Sequence, residues 1–323
     1  MGCHMNKYGI VSKRTNKRDA GSFLLFVFLL PYVCACLWGH VGEEADLLKG
    51  NKKEDGYLVE TVVEWGVWEL TLEEYLTYRL CLVMPEDYGM EARKAQAVLL
   101  RTEMAALYAE QGEKKVIVDG DGLAKFYKEA AGQEEFLKKS RQAVRETAGK
   151  ILTYKGDPAR ASYFRVSNGS TRDAGDEDCP YLSAVSCEQD REAPDCHSVV
   201  RVDRERYLEK LRSVLEGDFE EQKLWEEGKF SFDGEGYMTS VSYIDVDGEA
   251  ERLDGETFRH LFGLASASFE MEREEEQALF HVTGVGHGYG MSQYAAARMA
   301  ENGESYREIL AAFFFQTELA NFE

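Results

Sequence analysis

The sequence predicts an α+β fold, a single mixed domain behind an apolar N-terminal segment. Three observations predict it. Short β-branched and aromatic runs interleave with stretches of helical periodicity, so neither element type dominates. After residue 57 no Pro- or Ser-rich linker interrupts the chain, and no internal repeat is evident. Hydrophobic residues make up 44% of the 323, enough for a sizeable core despite 30% charged residues. The expected organisation is a basic region at 1–22, a signal or anchor segment at 23–38, a polar tether at 39–56 and the folded domain at 57–323.

The elements follow in order. Leu58 to Leu70 is rich in Val, Trp and Thr with partial alternation, which predicts strands. Leu72-Glu-Glu-Tyr opens a helix that Met84-Pro85 halts, because the residue before proline is driven out of the α region. Met90 to Glu110 carries the clearest helical spacing, with Ala95, Leu99, Met104 and Leu107 as inward positions. Val116-Ile-Val118 is a short strand. Asp119-Gly-Asp-Gly122 is a turn, since the spacing and terminal Glu of an EF-hand are absent. A helix over Glu134 to Ala148, a strand over Ile151 to Tyr154 and a Tyr-Lys-Gly-Asp turn come next. Residues 161–200 mix glycine, serine and acids and read as loop. Beyond them the pattern gives a helix from Tyr207, a strand over Tyr237 to Val246 and a hairpin turn at Asp247-Gly248. A helix over Glu256 to Phe262 and a strand over Phe280 to Val285 follow. The chain ends with a helix over Tyr294 to Ala300, closed by Asn302-Gly303, and another from Tyr306 to Phe315.

Charge narrows the partners. The net charge is −21, but residues 1–22 hold five basic side chains against Asp19, leaving about −25 on the remainder. An acidic body repels nucleic acid and anionic lipid, both of which need basic surface. The basic start runs into Phe23 to Trp38, which carries no charge and has the layout of a secretory signal. It is shorter than the ~20 residues of a comfortable spanning helix, and Pro31 weakens it. A signal-anchor, a cleaved signal and lipoprotein processing at Cys36 all remain open. Each puts the body outside the membrane, so an extracytoplasmic protein is expected, with membrane contact through residues 23–38.

Seven cysteines are present. Cys179, Cys187 and Cys196, with His197, could ligate zinc or form one disulfide, but the spacing lacks the short chelating pair of a strong zinc motif. Free thiols are the third reading. No metal and no cofactor is expected.

The stretch from Gly286 to Gly303, GHGYGMSQYAAARMAENG, is the most suggestive. Three glycines free the backbone for unusual dihedrals or a close approach. His287 could act as acid, base or donor. No Gly-Lys-Ser/Thr makes it a phosphate loop, and no Gly-x-Ser-x-Gly makes Ser292 a nucleophile elbow. Ser292 suits a helix N-cap. From the residues alone, a functional site and a structural turn are equally supported.

This stretch resembles the signature of the stage II sporulation protein D and amidase enhancer family, and four further stretches match in order. They are Leu72 to Leu76 with Met84-Pro85 and Glu91 to Thr102; Gln142 to Tyr154; Ser167-Asn-Gly-Ser-Thr171 with Pro180 to Val185; and Arg252 to Phe269. The resemblance spans about Leu58 to the C-terminus. It implies a cell-wall protein acting on peptidoglycan glycan strands, either as a lytic transglycosylase or as an activator of a wall amidase. It further implies a substrate face containing Gln96, Arg101, Ser167, Asn168, Gly169, His287, Tyr289 and Gln293. The lytic chemistry needs one carboxyl group, which protonates the glycosidic oxygen and then accepts the muramic C6 hydroxyl proton as that oxygen closes on C1. The family pattern puts a glutamate directly before Met-Pro. Here that position is Val83, which transfers no proton. Two expectations follow: loss of lytic activity, or a relocated acid. Glu86 is the catalytic candidate, because three residues on from Val83 it would share a helix face if the helix continued. Glycan strands and other wall hydrolases are the expected partners. No nucleic acid is among them.

Overall fold

The computed structural model describes residues 56–63, 66–129 and 132–322. The basic region, the signal or anchor segment at 23–38, the tether up to residue 55, and Cys3, Cys34 and Cys36 lie outside the described residues. Among those described, no helix is long and apolar enough to cross a membrane.

The fold is mixed α+β. An antiparallel hairpin, β1 (Leu58–Val63) and β2 (Gly66–Thr71), leads directly into helix α1 (Leu72–Val83). Thr71 caps that helix with a reciprocal pair: its hydroxyl accepts the Glu74 N–H, and the Glu74 carboxylate accepts the Thr71 N–H. α1 stops where proline requires it, with Met84 extended at φ −112° and ψ 131°. Helix α2 (Met90–Gln111) packs on α1 and closes on Gly112 in the left-handed region. Ala95, Leu99 and Met104 are buried as expected, and Leu107 is half-buried.

Strand β3 (Lys115–Asp119) returns to pair parallel with β1. The turn expected after it tightens at once into helix α3 (Asp121–Glu129), which short apolar spacing had concealed. Helix α4 (Glu134–Glu146) and strand β4 (Lys150–Tyr154) fall where the periodicity puts them. Lys155 and Gly156, both at positive φ, turn the chain into β5 (Asp157–Pro158).

The stretch 161–200 is mostly loop, holding β6 (Tyr163–Phe164) and a single 3-10 turn, Glu188–Glu192. At its end strand β7 (His197–Asp203) joins helices α5 (Arg204–Arg212) and α6 (Glu221–Glu226). The hairpins β8 (Lys229–Phe232), β9 (Met238–Ile244) and β10 (Ala250–Asp254) form one three-stranded sheet. Helix α7 (Gly255–Phe262) packs on it, and β11 (Phe269–Arg273) and β12 (Gln277–Thr283) pair with β7 in order β11-β12-β7. The chain closes with β13 (Met291–Ser292), α8 (Gln293–Glu301), α9 (Tyr306–Phe313) and β14 (Glu318–Asn321), the last pairing with β4.

Apolar side chains gather in two large clusters. One joins α1, α2, α8 and α9 through Leu76, Leu80, Leu99, Ala296 and Phe313. The other is rich in aromatic rings, with Phe258 at its centre against Phe262, Phe269 and Phe280. The loops around Ser167 and His287 run between them, and these loops carry the motifs.

Candidate functional site

Val83 is the last residue of α1, and its carbonyl oxygen accepts from Gln293 Nε2 at 2.8 Å. The same amide nitrogen donates to Gln96 Oε1 at 3.0 Å. A carbonyl only accepts, so this contact orients both glutamines: Gln293 presents its nitrogen, and Gln96 must present its oxygen. Gln96 Nε2 is thereby left without a partner, although the residue is fully buried. Two motif segments about 200 residues apart in sequence, one holding Val83 and Gln96 and the other Gln293, thus converge on position 83.

The His287 loop is shaped by close approach. A Cβ on Gly290 would stand 2.1 Å from the Ser162 carbonyl oxygen, and Gly290 sits at φ +77°. β13 pairs parallel with β6 there, Met291 beside Tyr163 and Ser292 beside Phe164. His287 Nδ1 accepts the Tyr289 N–H at 3.1 Å, which requires a lone pair on Nδ1 and leaves the ring proton of the neutral form on Nε2. The half-buried imidazole lies 5.7 Å from the Phe164 ring and stacks 5.9 Å from Tyr289. Behind Tyr289 the Arg172 guanidinium sits 4.5 Å from the ring centre and pairs with Asp233 at 2.8 Å. Burial pushes the Tyr289 hydroxyl above its ordinary range, the Arg172 charge pulling the other way.

The Ser167 loop is clamped from several sides. Ser167 is fully buried, and its Oγ accepts the Gly169 N–H at 3.1 Å. Asn168 donates its side-chain amide to the Glu235 carbonyl and to Ser268 Oγ, and its N–H to the Tyr237 hydroxyl. Gly169 stands at φ +115°, with Arg191 Nε only 2.6 Å from where a Cβ would be. The Ser167 N–H donates at 2.7 Å to Asp190, a buried carboxyl that also accepts the Ser292 hydroxyl at 2.6 Å. Burial raises the Asp190 carboxyl above the usual carboxylate range, and these hydrogen bonds offset part of the rise.

The other expected site residues stand elsewhere. Arg101 is fully buried and grips both Glu73 oxygens, at 2.9 and 2.8 Å, together with the carbonyls of Val144, Thr147 and Lys150. It joins α1, α2, α4 and β4 and is not beside Val83. Glu86 follows the end of α1, so the helix that would carry it onto the Val83 face does not continue. It is exposed on a turn whose carbonyls at Pro85, Glu86 and Tyr88 are all held by the buried Arg93 guanidinium.

Cys179, Cys187 and Cys196 are free thiols, near the Tyr181 hydroxyl, the Val185 carbonyl and the Ser167 carbonyl respectively. Among the described residues no three His, Cys, Asp or Glu side chains cluster as a metal site. Asp190, Arg172 and Arg93 were not singled out in the sequence. Asp190 lies in the run Glu-Gln-Asp-Arg-Glu, which reads as a solvated face.

A family profile described as "Stage II sporulation protein" matches residues 64–154, the stretch from the first hairpin to β4. Over 270 residues the chain is 31% identical to stage II sporulation protein D of Bacillus subtilis, covering 79% of this chain and 76% of that one. The chain belongs to the stage II sporulation protein D family. The protein of the same name from Bacillus amyloliquefaciens is 32% identical over 264 residues, 77% of this chain and 74% of its own. An uncharacterized protein of Brachyspira hyodysenteriae is 27% identical over 263 residues, 79% of this chain and 68% of its own. In this family member Gln96 and Gln293 bring amides to position 83, and on the Gly286–Gly290 loop the His287 imidazole lies against the Phe164 and Tyr289 rings. Such groups bind polar, ring-shaped ligands, but Val83 itself supplies no proton.

Proposed function

We propose that this chain is a sporulation protein working outside the cytoplasmic membrane on the cell wall. It holds peptidoglycan glycan strands on the face around Val83 and His287 without cleaving them itself, and it recruits or stimulates other wall hydrolases. One observation carries the reading. Val83, at the family pattern's acid position, has its carbonyl tied by Gln293 beside Gln96, so the surroundings of the acid are assembled around an isopropyl group. Aromatic and amide groups suit sugar hydroxyls and acetamido groups, and these remain. The carboxyl that would protonate the glycosidic oxygen and later take the C6 hydroxyl proton is missing.

The second reading keeps the enzyme and moves the acid to Glu86. What favours it is the rigid turn that Arg93 imposes on that residue. Against it stands exposure: an acid for leaving-group protonation is tuned by burial, and Glu86 is in solvent.

The full chain incubated with glycan strands stripped of stem peptides separates the two. The expected result is measurable binding with no 1,6-anhydro product by mass spectrometry. Product that disappears in Glu86→Gln would instead establish the relocated acid. Val83→Glu tests the empty position directly, because an intact face lacking only its acid should gain turnover. A folded Val83→Glu that binds glycan yet makes no product would mean the face itself no longer fits the reaction.

A further inference from the structure

Asp190 lies between the two loops that carry the motif residues, on the 3-10 turn Glu188–Glu192, with no exposed surface. Its hydrogen bonds to the two loops run through one oxygen. Oδ2 accepts the Ser167 N–H at 2.7 Å and the Ser292 hydroxyl at 2.6 Å, whereas Oδ1 is buried without a partner. A carboxyl kept in so unfavourable a place invites the question of what that one oxygen holds.

On one side it holds Ser292. The Ser292 hydroxyl donates to Asp190 and accepts the Ala295 N–H at 3.3 Å, so the acid fixes the rotor of the α8 N-cap. The next residue is Gln293, which reaches the Val83 carbonyl and Gln96. On the other side it holds the Ser167 N–H, and through it the loop whose Asn168 and Gly169 are clamped by Tyr237, Ser268 and Arg191.

We propose that Asp190 is the positioning residue of the glycan face: through Oδ2 it locks the Ser167-Asn168-Gly169 loop to the N-cap of α8, and so sets where Gln293 stands against Val83 and Gln96. This rests on the reading that the face holds glycan.

Hydrogen bonds offset only part of what burial costs the ionised Asp190 carboxyl. The Cys187 and Cys196 thiols and the Tyr88 and Tyr237 hydroxyls face it, each held more firmly protonated by burial. On its own turn Glu188, Arg191 and Glu192 are exposed, and Arg191 pairs with Glu188. Asp195 is exposed and pairs with Arg165. Because the folded carboxyl binds its proton more tightly than the unfolded one, the stability it contributes is present at low pH. That stability is lost as pH rises through the raised value.

The test uses the full chain and three variants, with the side-chain amide resonances of Gln293 and Gln96 read by NMR and glycan binding read by co-sedimentation. Asp190→Ala is expected to shift both amides and to weaken binding about tenfold. Asp190→Asn keeps an oxygen for the same two donors, so it should restore both readouts to within about twofold. Its Tm should also gain on the wild type as pH rises above the ordinary aspartate range, since only the wild type has a carboxyl to ionise at this buried position. Ser292→Ala, a milder change, should shift Gln293 alone.

Unmoved amides in a folded Asp190→Ala overturn the proposal, and so does a failure of Asp190→Asn to restore them. Should Asp190→Ala not fold, an unmoved Gln293 in Ser292→Ala overturns it equally. If the wild type binds no glycan while the amides move in Asp190→Ala and return in Asp190→Asn, positioning stands and the glycan reading falls.

Discussion

At position 290 only glycine fits. The backbone is left-handed there, and the Ser162 carbonyl fills the place of a side chain. Gly290→Ala would have to adopt a strained dihedral, costing about 1–3 kcal/mol, and would also push β6 away from β13. The urea midpoint should fall accordingly, and the Tyr289 N–H bond to His287 should loosen with the pairing. A midpoint unchanged from wild type would show that the loop can rearrange at no cost. Val83 differs in kind. Its isopropyl group is half-buried, while the hydrogen bond that anchors the position uses the backbone.

At the scale of elements, Arg101 is a structural joint. Expected at the substrate face, it has a guanidinium that holds α1, α2, α4 and β4 together. Arg101→Met should strip the guanidinium donors from the buried Val144 and Thr147 carbonyls, which keep only the Thr147 hydroxyl and the Lys150 N–H, and leave Glu73 without its partner. At about 1–3 kcal/mol in all, it should lower Tm well before it changes glycan binding per folded molecule. Helices with clear apolar spacing, such as α1, α2 and α4, were legible in the sequence because one face of each is buried. Strand β7 was not. Five of its seven residues are exposed and only Val202 is buried, so alternation is missing even though the strand is paired along its length. Helix α6 is six residues long, too short for a period to register. The site divides similarly. Glycines, His287 and the Ser292 cap were readable because their chemistry is local. Asp190 was not, since its role comes from two partners, 23 residues before it and 102 after it.

Across the whole molecule, two cores meet through a polar seam. Arg172 belongs to the Ser167 loop, lies under Tyr289 and pairs with Asp233, while its guanidinium sits 5.1 Å from the Tyr237 ring of the aromatic core. Its side chain is 4% exposed, so removing it strands the Asp233 carboxylate at the seam. Arg172→Leu should therefore weaken the coupling between the cores. Calorimetry is expected to turn one endotherm into two overlapping ones, and a single sharp transition at a lower temperature would argue against a seam. The anchoring of Val83 through its carbonyl has one more consequence. Every residue type carries that same oxygen, so the framework of Gln96 and Gln293 is blind to which side chain occupies position 83. A substitution at position 83 can then change what that side chain does without rebuilding the protein around it.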